Sequence, residues 1–206
     1  YSKILDTSNG IMWSKWFVNG KTNIYKSSVE KFAKQNPQKI AYHFVSEDGQ
    51  TSNISYSELD SKVSKLANGL KSIGIQKGDV IAIYLPMIEE AILAILAASK
   101  IGATQTVIFS GYSSESLHIR LQDCKAKILF ISDGYYRKGK PISQKQISEI
   151  AIKDTVIEKT IVVSYKGIDN YEESEKLIFY DKLFISNNSR NKSTYNYTIL
   201  AFTFNE

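Results

Sequence analysis

The 206-residue chain has little cysteine, histidine or proline, and each scarcity excludes a class of structure. Its single cysteine, Cys124, cannot form a disulfide within the chain, which favours a reducing compartment and predicts a cytoplasmic protein. Its two histidines, His43 and His118, have no Cys or carboxylate neighbours at metal-ligand spacing, so no metal site is predicted. With only 3 Pro, and with 13 Tyr and 9 Phe, most of the chain is expected to fold.

The chain also lacks long apolar runs and runs of one charge. Its most apolar stretch, residues 80–98, is interrupted by Pro86, Glu89 and Glu90, which predicts a soluble protein with no membrane partner. The formal net charge is +5, but basic and acidic residues are interspersed, which disfavours a nucleic-acid partner. Neither the Walker spacing nor the dinucleotide-binding glycine pattern occurs, so any phosphate contact must use other residues.

The first third of the chain predicts a helix, a hairpin and a second helix. Residues 24–35 have a helical pattern that stops at Asn36-Pro37, and residues 39–46 then alternate as a strand. Asp48-Gly49 is typical of a hairpin turn. Ser55 and Glu58 form a capping box that opens a helix, which Gly74 ends. The apolar face of this helix is predicted to be Leu59, Val63, Leu66, Leu70 and Ile73.

The middle of the chain repeats strand and helix patterns. Continuous apolar strands, of the kind buried on both faces of a parallel sheet, are predicted at 80–85, 103–109, 126–132 and 160–164. Helices are predicted at 87–100, from Ser113 or Ser114 to about 123, and at 142–153. The predicted fold is therefore α/β, a doubly wound, mostly parallel sheet with flanking helices.

Two loops are candidate ligand sites, because each follows a predicted strand and ligands of open α/β sheets bind beyond the carboxyl ends of the strands. In Phe109-Ser110-Gly111-Tyr112, Gly111 lets a ligand approach the backbone and the two rings offer stacking faces. An ordinary capped turn between strand and helix would have the same residues.

The second loop, residues 133–141, gathers Arg137, Lys138 and Lys140 around Gly139 and beside two tyrosines. An arginine can donate two hydrogen bonds to phosphate or stack on a purine, and a lysine supplies a compact positive charge. The alternative is an ordinary solvated basic loop.

Further segments resemble a known family. Trp16-Phe17-Val18-Asn19-Gly20-Lys21 resembles the opening segment of acetyl- and propionyl-CoA synthetases. Four segments resemble successive landmarks of adenylate-forming enzymes: Tyr56-Ser57-Glu58-Leu59, Lys77-Gly78-Asp79-Val80, Tyr84-Leu85-Pro86-Met87 and Lys100-Ile101-Gly102-Ala103. The acetyl-CoA synthetase branch is indicated by Val107-Ile108-Phe109-Ser110-Gly111-Tyr112-Ser113 and Arg137-Lys138-Gly139-Lys140-Pro141-Ile142. The chain thus resembles the N-terminal part of such an enzyme over residues 13–184.

This resemblance implies a ligase that uses ATP and magnesium to convert acetate or a similar short carboxylate to an acyl-adenylate, and then transfers the acyl group to coenzyme A (CoA). It implies that the aromatic turn lies near the adenine of CoA and that the basic loop lies near its phosphates. The implied CoA contacts are Phe109, Ser110, Gly111, Arg137, Lys138, Gly139 and Lys140. Two of them depart from the family pattern, which has glycine at the position of Ser110 and a small residue at that of Lys138.

The resemblance also divides the chain into an opening segment of acetyl-CoA synthetase type (1–22), the N-terminal part of an AMP-dependent synthetase/ligase domain (23–184) and a divergent Asn- and Ser-rich tail (185–206). A shifted reading frame or a gene remnant is expected to explain the tail. A complete enzyme would next have a Thr-Ser-Gly-rich ATP loop, an acyl pocket and a mobile domain with a catalytic lysine. No catalytic residue is therefore assigned, and the chain alone is expected to be inactive. The alternatives are a noncatalytic CoA- or nucleotide-binding module, half of a split enzyme whose partner is the missing remainder, or a nonfunctional gene remnant.

Overall fold

The structure is a computed structural model that describes residues 1–46, 49–184 and 197–198. Its strands are β1 (Lys3–Asp6), β2 (Lys15–Val18), β3 (Lys21–Thr22), β4 (Ile40–Val45), β5 (Thr51–Ser55), β6 (Val80–Ile83), β7 (Thr104–Val107), β8 (Ile128–Ser132), β9 (Tyr135–Arg137), β10 (Lys140–Ile142), β11 (Lys159–Val163), β12 (Leu177–Phe179) and β13 (Tyr197–Thr198). Its α-helices are α1 (Lys31–Gln35), α2 (Tyr56–Ser72), α3 (Glu89–Ile101), α4 (Ser114–Cys124) and α5 (Lys145–Ala151). A π-helical turn at Lys26–Glu30 leads into α1, and 3₁₀ turns occur at Ile11–Trp13 and Tyr180–Leu183. Within the described ranges, no helix is both long and apolar enough to cross a membrane.

The central sheet is parallel and has the strand order β12-β11-β8-β6-β7. The chain passes from β6 to β7 on one side and then crosses to β8 on the other side of β6. Helices α2 and α3 pack against one face of the sheet, and α4 and α5 pack against the other. The predicted doubly wound fold is confirmed. It could be predicted from the continuous apolar strands because strands covered on both faces need apolar side chains on both sides.

Successive residues of the inner strands contribute to two separate cores. Ile81, Ile83 and Phe130 pack in the core that contains α2 and α3, whereas Ala82 and Leu129 pack in the core that contains α4 and α5. The predicted apolar face of α2 is confirmed: four of its members are buried and the last, at position 73, is half-buried.

The predicted helix boundaries are largely confirmed by backbone capping. The Ser55 hydroxyl accepts a hydrogen bond from the Glu58 N–H at 3.3 Å, and the Glu58 carboxylate accepts one from the Ser55 N–H at 2.8 Å. The Ser55 hydroxyl also donates to the Glu58 carboxylate at 2.7 Å, and the two hydrogen bonds that this carboxylate accepts, from the Ser55 backbone and side chain, lower the pKa of Glu58. Gly74 and Gly102 follow their helices with positive φ, and Ser113 rather than its neighbour caps α4.

Two predicted elements differ from the structure. The segment 103–109 was expected to be a buried strand, but β7 is shorter, lies at the edge of the sheet and leaves Val107 62% exposed. A β-branched strand fits an edge as well as a centre, so the pattern alone could not decide between them. The helix expected over 142–153 begins at Lys145, because Ile142 belongs to β10.

Other expectations fall partly outside the described residues. Strands β4 and β5 pair antiparallel as the predicted hairpin requires, but Asp48 of its turn is not described. Of the tail at 185–206, the structure describes only β13, whose Tyr197 is the Cα partner of Thr22 in β3.

Gly69 is the point at which α2 meets the 3₁₀ turn Tyr180–Leu183. A Cβ atom at Gly69 would overlap the backbone carbonyl group of Leu183. Because backbone atoms cannot move aside as a flexible side chain can, only glycine allows this contact.

We therefore expect Gly69→Ala to lower the free energy of unfolding by about 2 kcal/mol, although alanine favours a helix over glycine by about 1 kcal/mol. Urea denaturation followed by circular dichroism measures the change. Ser61→Ala, at an exposed position of the same helix, is the control and should shift stability by less than about 0.5 kcal/mol. Equal or greater stability of the Gly69 variant would contradict the close contact between Gly69 and the Leu183 carbonyl group.

Candidate functional site

A cleft of about 690 Å³ opens at the edge of the sheet where the parallel strands end. Its walls come from the segments that follow β6, β7, β8 and β11, together with the end of the β4–β5 hairpin. The lining residues are Val45, Ser46, Pro86, Met87, Phe109, Ser110, Tyr135, Tyr136, Arg137, Gly139, Tyr165 and Lys166. Ligands of open α/β sheets bind beyond the carboxyl ends of the strands, at the point where the strand order reverses. Here that point is β6, because β7 lies on one side of it and β8 on the other.

The basic segment is a β-hairpin rather than the predicted loop. Strands β9 and β10 pair antiparallel, and Arg137 lies directly opposite Lys140. The turn residues Lys138 and Gly139 have φ values of 52° and 72°, as a two-residue hairpin turn of primed type requires. Only three residues form each strand, which is too few for a clear alternating pattern in the sequence.

The predicted cations and the glycine between them are all exposed in the hairpin. Arg137 and Gly139 line the cleft, whereas Lys138 and Lys140 lie outside the lining residues. Residues directly opposite each other in an antiparallel pair project from the same face, so Lys140 lies on the Arg137 face of the hairpin.

The aromatic turn meets this hairpin at Gly111. A Cβ atom there would lie 2.5 Å from Cε1 of Phe109 and 2.9 Å from Nη1 of Arg137. The guanidinium carbon of Arg137 is 5.8 Å from the centroid of the Phe109 ring, within range of a cation–π interaction. The structure therefore brings the two candidate loops together, and Gly111 provides the space for their contact.

The two rings of the aromatic turn also contact each other. The rings of Phe109 and Tyr112 meet edge to face, with centroids 5.7 Å apart and planes at 88°. The guanidinium carbon of Arg120 lies 4.2 Å from the centroid of the Tyr112 ring. Phe109 nevertheless remains 59% exposed, so its ring is accessible to a ligand in the cleft.

Two tyrosine hydroxyls that sequence reasoning missed fix the aromatic turn. Tyr84 donates to the Tyr112 carbonyl oxygen at 2.8 Å, and Tyr135 donates to the Ser110 carbonyl oxygen at 2.9 Å. Burial raises the pKa of Tyr84 to about 12, so its hydroxyl stays protonated and able to donate at neutral pH. Because the acceptors are backbone carbonyls, no residue pattern in the sequence could have indicated these pairs.

A fully buried glutamine joins the strands beneath the hairpin. The side-chain carbonyl of Gln144 accepts the Ser132 N–H at 2.8 Å, and its amide donates to the Tyr84 carbonyl oxygen at 3.1 Å. It also accepts from the Ser132 hydroxyl. The sequence predicted helix at this position, where a glutamine is typically exposed, so this role was missed as well.

Asp133 fixes the wall of the cleft that is formed by the segment after β11. Asp133 is 5% exposed, and its carboxylate accepts three backbone hydrogen bonds, from Tyr165 and Lys166 at 2.9 Å and from Gly167 at 2.8 Å. This carboxylate thereby ties the end of β8 to the segment that follows β11.

The cleft combines positive charge with apolar and aromatic surface. Within the part of the chain that the structure describes, no carboxylate forms an ion pair with Arg137 or Lys140. The lining residues include no Asp, Glu or His. Such a surface suits a ligand that has both a flat ring and an anionic group.

Comparison with known proteins adds an independent observation. The family described as "AMP-binding enzyme" matches residues 29–196. The acetyl-coenzyme A synthetase of Methanothrix thermoacetophila is 41% identical over 186 residues, which are 89% of this chain and 28% of that protein. Proteins with the same name from Streptomyces avermitilis and Coprinopsis cinerea are 40% and 41% identical, over 81% and 74% of this chain and 26% and 23% of their own lengths. The chain thus spans about a quarter of the length of these curated relatives.

The fold is also similar to that of a solved structure. Acetoacetyl-CoA synthetase from Streptomyces lividans superposes with a TM-score of 0.80 over 92% of this chain and 29% of that one. The sequences are 23% identical, so this similarity concerns the fold alone.

The three hydrogen bonds to Asp133 lead to a stability prediction. We expect Asp133→Asn to lower the free energy of unfolding by about 1.5–3 kcal/mol, because an amide group has only one oxygen and turns a donor toward a backbone N–H. Guanidinium denaturation measures the loss. Asp123→Asn, at an exposed position in α4, should have an effect below about 0.5 kcal/mol. Equal stability of the two variants would show that the carboxylate does not hold the 165–167 segment.

Proposed function

The chain belongs to the AMP-binding enzyme family, and we propose that it forms the CoA-binding part of an acyl-CoA synthetase. Relatives named acetyl-coenzyme A synthetase, at about 40% identity, support this assignment. The observation that carries it is the contact at Gly111, where an accessible aromatic ring and an arginine converge beside one cleft.

The chemistry of CoA corresponds to these groups. Its nucleotide end has an adenine ring, a 3′-phosphate on the ribose and a diphosphate. In the proposed complex the adenine stacks on Phe109, and the Arg137 guanidinium donates hydrogen bonds to phosphate oxygens. This second interaction is strong because a guanidinium can donate two parallel N–H groups to one phosphate.

The remaining residues of the two loops have supporting roles in this proposal. Gly111 leaves room for Phe109 and Arg137 to lie side by side, and Ser110 lines the cleft beside them. Gly139 permits the tight turn, while Lys138 and Lys140 add positive charge around the phosphates.

The full reaction proposed is activation of acetate or another short carboxylate with ATP, followed by transfer of the acyl group to CoA in the cytoplasm. None of the described residues is assigned to the activation step. Across residues 1–46, 49–184 and 197–198, no group of three or more His, Cys, Asp or Glu side chains is arranged to hold a metal ion. The proposal therefore places no magnesium ion in this chain and limits its residues to binding and orienting CoA.

A second candidate is a CoA- or nucleotide-binding module that does not catalyse, or that acts as half of a split enzyme. It is favoured by the fact that the described residues by themselves bring the stacking face and the arginine together. Acetate-dependent formation of AMP and acetyl-CoA by the isolated chain would reject the noncatalytic alternative. Activity that requires an added second polypeptide would support the split enzyme.

The proposed CoA site predicts a charge-dependent binding defect. Arg137→Ala should weaken CoA binding by roughly 10- to 150-fold, since hydrogen bonds to charged groups contribute about 1.5–3 kcal/mol. Isothermal titration calorimetry at low and high salt measures the affinity, and the difference between variant and wild type should shrink as salt screens the phosphates.

Lys153→Ala is the matched control, because it also removes one exposed positive charge. Lys153 lies in the segment that leads from α5 into the amino end of β11, whereas the cleft lies beyond the carboxyl ends of the strands. This variant should bind CoA as the wild type does. If Arg137→Ala leaves the affinity unchanged, the site assignment is wrong.

A further inference from the structure

Tyr135 belongs structurally to both halves of the candidate site. It lies in β9, two residues before Arg137, and residues i and i+2 of a strand project from the same face. Its hydroxyl reaches across to the aromatic turn and donates to the Ser110 carbonyl oxygen at 2.9 Å. Tyr135 is 7% exposed and Ser110 is buried, so the hydrogen bond is shielded from water.

Tyr84 provides an internal comparison for this interaction. It donates a hydrogen bond of similar length to the same turn, at the Tyr112 carbonyl oxygen. However, Tyr84 follows β6, which is not part of the hairpin that carries Arg137. The two tyrosines therefore both fix the turn, but only Tyr135 joins the turn directly to the cationic hairpin.

We propose that Tyr135 is a positioning residue that holds Arg137 and the Phe109–Tyr112 turn at the spacing of a single ligand. The inference rests on the proposed CoA site and specifies what makes its two parts act together. Without the hydroxyl, the buried Ser110 carbonyl loses its partner, and the turn and hairpin lose a hydrogen bond that resists their separation. Arg137 then retains its charge but no longer has a fixed position relative to the stacking face.

The test is a double-mutant cycle on CoA affinity. Affinities are measured for the wild type, Arg137→Ala, Tyr135→Phe and the double variant, in sucrose, which favours the folded state of a weakened variant. Arg137→Ala should weaken binding by about tenfold or more in the wild type and by less than about threefold in the Tyr135→Phe background.

Tyr84→Phe separates positioning from a general loss of stability. Like Tyr135→Phe, it removes one buried hydroxyl that bonds to the turn. In the Tyr84→Phe background, Arg137→Ala should keep its full tenfold or greater effect. If Arg137→Ala has the same effect in all three backgrounds, Tyr135 does not position Arg137 and the proposal is overturned.

Backbone amide exchange of the free proteins tests the same coupling without CoA. Tyr135→Phe should accelerate exchange in two segments, 104–113 and 132–143, whereas Tyr84→Phe should accelerate it mainly in the first. Unchanged exchange in both segments of Tyr135→Phe would refute the inference. If exchange changes as expected but the wild type binds no CoA, the coupling by Tyr135 stands and the proposed function fails.

Discussion

The architecture of the cleft depends on satisfying backbone polar groups at the carboxyl edge of the sheet. Where the strands end, their ladder of hydrogen bonds also ends, and a buried N–H or carbonyl group without a partner is costly. Tyr84, Tyr135, Gln144 and Asp133 supply these partners from side chains. Each hydrogen bond also ties one connecting segment to another, so the same interactions that complete the sheet determine the shape of the cleft.

This arrangement explains why exposed and buried residues have different roles in the site. Phe109 and Arg137 present a ring and a charge at the surface, but neither side chain determines its own position. Their positions follow from the turn and the hairpin, which are held from below by groups with almost no exposure to water. Preorganisation of this kind reduces the entropy that a ligand must overcome when it binds.

Sequence reasoning predicted the parts of this molecule that repeat a regular pattern. The capping box at Ser55, the apolar face of α2 and the parallel strands all follow from local chemistry or from periodicity, and the structure confirms them. The aromatic turn was also found, because its strand and its glycine are visible in the sequence. The hairpin that carries Arg137 was missed because its strands are too short to alternate. The buried hydrogen bonds were missed because a partner that is a backbone carbonyl leaves no trace in residue order.

The left-handed backbone at Lys138 has a consequence for how fast a ligand arrives. A lysine in this conformation is strained by about 1 kcal/mol or more relative to glycine, which lowers the stability of the hairpin. The same lysine places a positive charge near the cleft. A charge outside the cleft contributes to the electrostatic field that guides an approaching anion, which acts on the association rate more than on the final contacts. That field is screened over about 8 Å at physiological ionic strength and over shorter distances as the salt concentration rises. In the proposed CoA site, the turn therefore links the rate of ligand capture to the salt concentration of the surroundings.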